Sequence, residues 1–253
     1  PQVDFKGIAR GAEALVRWRH PVKGLLSPAV FVDVLEKAGL IYKIDRYMWE
    51  KAAAKLKEWK ELGKAQYHIS VNISTKDFYL VDVYETFVDI VERNGINPEK
   101  LKLEITETTI MDNFERNIKI IKRLQDYGFK IEIDDFGSGY SSLNMLKDVN
   151  VDVLKIDMKF LKMDENTMDK GMGILEAVTR MANIMGLRMI AEGVETEDQI
   201  NYLLKMGCIY GQGYFFYKPL PVEEIKALLN DENNVDYRGI QARKIEHVRF
   251  KDL

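Results

Sequence analysis

Acidic, amide and lysine side chains recur where short apolar runs of this sequence end. Side chains alternate between two faces along a strand, so every second residue looks toward the same side. Counted in this way, Glu104 shares a face with Lys102, and Asp134 shares a face with Glu132. The polar residues that we expect at successive strand ends are Glu13, Asn72, Glu104, Asp134, Lys155 and Glu192.

Four carboxylates gathered in one place repel one another strongly unless cations neutralise them. All the candidate ligands are oxygen atoms, since none of the three histidines follows the pattern and the chain has a single cysteine. Oxygen donors select hard cations, so the sequence predicts Mg²⁺ or Mn²⁺ in preference to zinc. The adjacent acids Asp134 and Asp135 suit a two-metal site, which favours cleavage of a phosphoester.

Each of these residues also has an ordinary explanation when it is taken alone. A single acid at a strand end is usually a solvated loop residue or a helix cap. Lys155 could simply extend its ammonium from an apolar strand into solvent. The glycine-containing segment 135–142 would be only a loop, although its position after the acid pair suggests a gate. The histidines are interpreted as surface or core-edge residues and the tryptophans as packing residues, without a functional role.

The elements that must position the polar residues alternate along the chain as helix, glycine and strand. Glycines at 63, 95, 128, 186 and 207 follow amphipathic stretches, as is typical of left-handed helix caps. This repeated order of elements is compatible with an open doubly wound sheet or with a closed barrel. Because an α/β barrel builds its site at the carboxyl ends of its strands, the polar strand ends favour the barrel. Predicted strands are 11–18, 67–72, 100–106, 129–134, 151–156, 188–192 and 208–215; predicted helices are 44–62, 84–94, 117–127, 172–185, 197–205 and 222–229.

The composition limits the class of protein and its partners. The 253 residues, 46% hydrophobic and 30% charged, fit one globular domain, predicted over 1–230, with a charged tail or connector over 231–253. A net charge of −3 does not indicate a nucleic-acid polymer as partner, but it leaves a small anionic ligand open. A single cysteine and the lack of an apolar run near ~18 residues predict a cytoplasmic domain. Pro1 stands in place of an initiator Met, so the stretch is expected to come from a longer polypeptide.

Seven motifs over about the first 230 residues resemble those of the EAL-domain cyclic di-GMP phosphodiesterases. The first of them is similar to the family signature Glu-x-Leu-x-Arg. The motifs are Glu13-Ala-Leu-Val-Arg17, Val71-Asn72-Ile-Ser, Glu104-Ile-Thr-Glu107, Asp134-Asp135-Phe-Gly-Ser-Gly, Lys155-Ile-Asp157, Ala191-Glu192-Gly-Val-Glu195 and Gln212-Gly-Tyr.

The resemblance implies a TIM-like (β/α)8 barrel with an atypical first strand, and hydrolysis of cyclic di-GMP to linear pGpG. Arg17 and Asp157 are implied to contact the substrate. Lys155 is implied to hold the attacking water, with Gln212 beside it, and Glu192 is the candidate general base. Glu107 is implied to brace the loop after the acid pair. The implied ligands of two Mg²⁺ or Mn²⁺ ions are Glu13, Asn72, Glu104, Asp134, Asp135 and Glu192.

The family also implies a homodimer formed near the segment 135–142 and a fused sensor or GGDEF domain outside this stretch. Two other functions stay open. Some family members are catalytically silent receptors for cyclic di-GMP or protein-interaction modules, and an unrelated barrel hydrolase could carry a similar acidic cluster. The complete set of site residues favours the enzyme.

Glu132 and Lys102 are among the positions that depart from the family pattern. Glu132 stands where the family often has a small apolar residue, and Lys102 stands where it often has an acid. Strand alternation places both in the barrel interior, two residues before Asp134 and Glu104. We therefore predict that Lys102 and Glu132 form an ion pair across neighbouring strands.

Overall fold

The computed structural model describes residues 1–5, 8–137, 145–147, 149–157 and 168–230. The strands in these ranges are β1 (Gln2–Asp4), β2 (Ala9–Glu13), β3 (Trp18–His20), β4 (Gly24–Leu26), β5 (His68–Ile73), β6 (Leu101–Thr106), β7 (Ile131–Asp134), β8 (Val153–Asp157), β9 (Arg188–Glu192) and β10 (Tyr210–Gln212). The α-helices are α1 (Val32–Lys37), α2 (Ile41–Glu61), α3 (Asp77–Leu80), α4 (Val83–Asn94), α5 (Glu107–Asp112), α6 (Phe114–Tyr127), α7 (Met168–Ile184), α8 (Glu197–Lys205) and α9 (Val222–Asn230).

Eight of the strands form a closed barrel in the order β1-β10-β9-β8-β7-β6-β5-β2, which confirms the predicted (β/α)8 class. The pairs β5–β6, β8–β9 and β9–β10 are parallel, as expected for strands joined through helices. The short β1 is antiparallel to both β10 and β2, and this reversal is the atypical first strand. The remaining strands, β3 and β4, form a separate hairpin.

The chain packs as two compact units, one of which takes its described residues from 13–132 and 141–150. Its sheet contains β5 and β6, in a register that runs from Ile69 opposite Leu101 to Ile73 opposite Ile105. Helix α2 covers this sheet because its apolar residues recur every three or four positions and so lie on one face. The buried residues of that face are Ile41, Trp49, Ala52, Ala53, Leu56 and Trp59.

The other unit takes its described residues from 1–12, 133–140 and 151–253. Its sheet contains β8, β9 and β10, with β1 at the far side of β10. Gly211 of β10 has to be a glycine because a Cβ there would lie 2.6 Å from the Phe5 ring. Phe5 in turn stacks on Phe216, with ring centroids 5.9 Å apart.

Most predicted elements are confirmed within a few residues, but three boundaries were wrong. The strand predicted over 11–18 ends at Glu13, and Trp18 instead begins the β3–β4 hairpin. The strand predicted over 208–215 is only Tyr210–Gln212, since the chain turns sharply at the next glycine. The helix predicted to begin at residue 172 begins at Met168. All five predicted cap glycines have a left-handed φ, which confirms their role.

The predicted tail over 231–253 lies outside the described residues, so its prediction is untested. Among the helices of the described part of the chain, none combines the length and the apolar character that crossing a membrane requires.

Candidate active site

A lysine ammonium joins two of the predicted acids in the unit that contains β8 and β9. Lys155 Nζ lies 2.6 Å from Glu192 Oε1 and 3.2 Å from Asp134 Oδ1. The lysine is fully buried, whereas the two carboxylates keep 18% and 16% of their side-chain surface exposed. A buried ammonium is stable only when it is paired in this way. The interpretation of Lys155 as a solvent-exposed strand residue is therefore wrong.

Gln212 joins the same group at the end of the neighbouring strand. Its Nε2 donates to Glu192 Oε1 at 2.8 Å, and the two residues are level in the parallel register of β9 and β10. Glu192 Oε1 thus accepts a hydrogen bond from the Gln212 amide and is ion-paired with the Lys155 ammonium, and the two contacts together orient its carboxylate. Asp157 ends β8 directly opposite Glu192.

The turns that follow β9 and β10 fit closely against each other. Val194 N–H donates to the Gln212 carbonyl at 3.2 Å, and Phe215 N–H donates to the Val194 carbonyl at 2.9 Å. A Cβ on Gly213 would lie 2.3 Å from both the nitrogen and the oxygen of Val194. This close approach holds Glu192 and Gln212 side by side, since each directly precedes one of the two turns.

Asp135 has an unusual backbone conformation for a side chain of its kind. Its φ of 52° is the one positive φ of a non-glycine residue in the described ranges. Its N–H donates to Asp134 Oδ1 at 3.0 Å, and the next N–H, of Phe136, donates to the Lys155 carbonyl at 3.2 Å. Aspartate tolerates this conformation better than most residues, and such strain is concentrated at functional sites.

A second group of predicted residues lies in the unit that contains β5 and β6. Asn72 Nδ2 donates to Glu13 Oε1 at 3.2 Å, which leaves the amide oxygen of Asn72 as the atom able to bind a cation. Glu104 lies level with Asn72 in the register of β5 and β6, and is buried, with 1% of its surface exposed.

Glu107 and Arg17 complete the predicted residues of this unit. Glu107 begins α5 and is buried, with 2% of its surface exposed. The loop that it was predicted to brace falls partly on 138–144, outside the described residues. The Arg17 guanidinium donates to the Val16 carbonyl at 2.7 Å, so a contact to a phosphate stays a prediction.

The predicted ion pair below these residues is confirmed. Lys102 Nζ lies 2.7 Å from Glu132 Oε1, and the Ser70 hydroxyl donates to Glu132 Oε2 at 2.8 Å. Glu132 is fully buried and the Lys102 side chain is 11% exposed. Strand alternation was sufficient to find the pair, but not the serine that completes it.

Two further carboxyl groups with raised pKa values, Asp45 and Asp77, lie near Ser74, and no sequence pattern predicted them. Asp77 is fully buried and accepts from the Ser74 N–H at 2.7 Å and the Ser74 hydroxyl at 2.8 Å. Burial, together with the charge of Asp77, raises the pKa of Asp45 on α2 to about 8. Burial also raises the pKa of Asp77. Two carboxyl groups in contact are stable when they share one proton.

The donor chemistry fits the predicted cations, although the described residues do not form a ready-made cage. The carboxylates of both groups and the Asn72 amide supply oxygen only, as Mg²⁺ and Mn²⁺ prefer. In the described ranges, no three His, Cys, Asp or Glu side chains are grouped as ligands of one ion. These residues are therefore candidate ligands whose final positions a cation would set.

The fold and its polar strand ends define an α/β-barrel protein with an acid-rich site, and comparison with known proteins gives the family. The EAL domain family matches residues 1–219. The chain therefore belongs to the EAL domain family.

Two of the named relatives come from Pseudomonas aeruginosa. The bifunctional diguanylate cyclase/cyclic di-GMP phosphodiesterase MucR is 36% identical over 217 residues, which are 86% of this chain and 32% of MucR. The cyclic di-GMP phosphodiesterase NbdA is 36% identical over 223 residues, which are 88% of this chain and 28% of NbdA. The chain thus spans about a third of the length of these curated relatives.

Solved structures agree with the family. A complex of the MucR phosphodiesterase with c-di-GMP has a TM-score of 0.83 at 35% identity, and the match covers 89% of this chain and 91% of that one. The EAL enzyme Bd1971, in a form with bound cAMP and cyclic di-GMP, has a TM-score of 0.84 at 30% identity. That match covers 91% of this chain and 63% of Bd1971.

Proposed function

We propose that this domain is a metal-dependent phosphodiesterase that hydrolyses cyclic di-GMP to linear pGpG. The observation that carries the proposal is the group formed by Lys155, Asp134, Glu192 and Gln212, in which the lysine is ion-paired with both acids and the glutamine donates to one of them. Membership of a family that includes MucR and NbdA supports the choice of substrate.

The side chains of the two groups are assigned to one reaction. Glu13, Asn72, Glu104, Asp134, Asp135 and Glu192 would hold the two cations, which we propose to be Mg²⁺ or Mn²⁺. Bound cations of this kind lower the pKa of water and neutralise the charge that develops on a phosphoryl group. Arg17 would bind a substrate phosphate through its guanidinium, and Asp157 would contact the nucleotide.

Proton movement is assigned to the lysine group. Lys155 holds the attacking water, and Glu192 accepts its proton as the water oxygen bonds to phosphorus. The bond from phosphorus to the ribose oxygen breaks, this oxygen takes a proton from solvent and leaves as a hydroxyl, and the ring opens to the linear dinucleotide. Gln212 keeps the Glu192 carboxylate oriented through the 2.8 Å hydrogen bond. Glu107 would brace the loop that follows the acid pair.

Hydrolysis of cyclic di-GMP by the purified chain, followed by chromatography with Mg²⁺ or Mn²⁺ present, tests this function. Glu13→Ala should abolish the formation of pGpG, since it removes both a proposed ligand and the acceptor of the Asn72 amide. Glu61→Ala, at an exposed position on α2, is the matched control and should retain activity. If the parent chain makes no pGpG but binds the nucleotide, the receptor function replaces the enzyme.

Three further predictions belong to the whole protein. We propose a homodimer, a fused sensor or GGDEF domain, and a cytoplasmic location for this domain. The length of the curated relatives supports additional domains, since this chain matches about a third of each.

A further inference from the structure

Trp49 connects helix α2 to the strand that carries Asn72. Its indole Nε1–H donates to the backbone carbonyl of Asn72 at 2.9 Å. Trp49 is fully buried, and its ring centroid lies 4.5 Å from that of Phe87 on α4. The hydrogen bond joins residues 23 positions apart, so it is a tertiary contact that fixes the end of β5 against the helix layer.

The indole takes the place of a backbone donor that the strand lacks at this point. Carbonyls two residues apart along a strand point to the same side. The Ser70 carbonyl accepts from the Ala14 N–H at 2.9 Å, and the next carbonyl on that side is the one of Asn72. Strand β2 ends at Glu13, so the ladder does not continue to the level of Asn72. A carbonyl here must find another donor or water, and Trp49 supplies one.

Fixing this carbonyl also fixes the side chain that leaves the same residue. Asn72 lies one residue before the end of β5 and its side chain is exposed. Its amide donates to Glu13 Oε1 at 3.2 Å, so the orientation of Asn72 sets the distance between two proposed cation ligands. A displacement of the end of β5 that broke the Trp49 hydrogen bond would also move the Asn72 Cα, and would thereby change the distance from its amide to Glu13.

We propose that Trp49 is a positioning residue, which holds Asn72 and through it Glu13 ready for a divalent cation. The contact itself is independent of the proposed function, and only its effect on cation binding rests on that function. Trp49 does not touch the substrate or the cation in this scheme.

Helix α2 provides a matched control in Trp59. This second tryptophan is also buried, with 3% of its surface exposed, and it packs edge-on against Tyr67 at 6.2 Å. Its Nε1–H has no hydrogen-bond partner among the described residues. Trp49→Phe and Trp59→Phe therefore make the same chemical change in the same helix, but only the first removes a hydrogen bond to Asn72.

The first measurement uses the metal-free full chain and needs no activity. The side-chain amide resonances of Asn72 in a ¹H–¹⁵N spectrum, assigned by their loss in Asn72→Ala, should move in Trp49→Phe and stay in place in Trp59→Phe. Replacement of the Trp49 indole by the isosteric benzothiophene, which keeps the ring size and lacks the N–H, should move them in the same way. This second variant covers the case in which Trp49→Phe fails to fold.

The second measurement is the affinity of the same proteins for Mn²⁺ alone, followed by electron paramagnetic resonance. Loss of one hydrogen bond that holds a ligand should weaken binding about three- to tenfold in Trp49→Phe. Trp59→Phe should bind as the parent does, even if its melting temperature changes.

The outcomes separate the two proposals. Unmoved Asn72 resonances in both Trp49 variants, or Mn²⁺ affinity that is equal in Trp49→Phe and the parent, would overturn the positioning role. Moved Asn72 resonances in the Trp49 variants, together with no Mn²⁺ binding by the parent chain, would support the contact and overturn the cation-dependent function instead.

Discussion

The buried ion pair of Lys102 and Glu132 gives the sharpest test of how this barrel tolerates charge in its interior. Two unit charges 2.7 Å apart attract by ~6 kcal/mol at an effective dielectric constant of ~20. Part of that attraction only offsets the removal of both groups from water. Lys102→Met would leave the fully buried Glu132 carboxylate without this cation, and breaking such a pair costs about 3–5 kcal/mol.

The structure also shows how to remove the pair without that cost. Ser70 donates to Glu132, so an apolar replacement of the pair must include the serine. The triple variant Lys102→Met, Glu132→Met, Ser70→Ala removes both charges and the serine hydroxyl that bonds to Glu132. Replacing a whole buried pair with apolar side chains is often neutral or stabilising. We therefore expect the free energy of unfolding of the triple variant to fall by less than ~1 kcal/mol, which is far less than the fall in Lys102→Met alone.

Urea unfolding followed by circular dichroism, together with melting temperatures, measures the difference. Lys102→Met should lower the melting temperature by roughly 6–20 °C, at about 2–4 °C for each kcal/mol in a chain of this size. Equal losses of stability in the single and triple variants would refute the reasoning. The loss would then come from altered packing and not from a buried carboxylate that has lost its cation.

Three other features give predictions of their own. The pKa of Asp45 in the folded protein is raised from 3.8 to about 8, so its protonated form stabilises the fold. This contribution is fully present below pH ~4 and is lost as the pH rises to about 8. The free energy of unfolding should fall by at most ~1.4 kcal/mol per pH unit in this range. Asp45→Asn should flatten this part of the stability curve in urea titrations, and an unchanged slope would argue against the shared proton. Burial raises the pKa of the Cys208 thiol to about 12, so a thiol reagent at pH 8 should react only as fast as the chain unfolds; prompt reaction of the folded protein would contradict this. Gly213→Ala forces a Cβ to 2.3 Å from the backbone of Val194 and should lower the free energy of unfolding by about 1–3 kcal/mol. A melting temperature equal to that of the parent would disprove this.

Strand alternation accounts for what could be predicted of the site. It placed Lys102 and Glu132 on one interior face, and it placed Lys155 on the same side as the acids it contacts. Glycines with a left-handed φ marked the helix ends for the same kind of reason, since the backbone conformation there excludes most other residues. These predictions depend on local geometry, which a sequence carries directly.

The wrong boundaries and the missed residues depend on pairing between distant segments. Residues 14–17 have a pattern that suits a strand, but β2 stops because its hydrogen bonds to β5 do not continue past the Ala14 N–H. Trp49 was interpreted as packing, and its hydrogen bond could not be predicted, because it depends on which carbonyl of β5 lacks a ladder partner. The direction of the three-residue strand β1 likewise follows from its neighbours and not from its own residues.

The antiparallel direction of β1 determines which strand end a displacement of β1 would reach. Val3 pairs with Gly211, so Gln2 lies toward the ends of β9 and β10, where Glu192 and Gln212 are found. A displacement of β1, which is only three residues long, would thus act directly on the strand that ends in Gln212. For anyone building a ligand-controlled switch from this domain, β1 is the natural input, because it pairs with that strand.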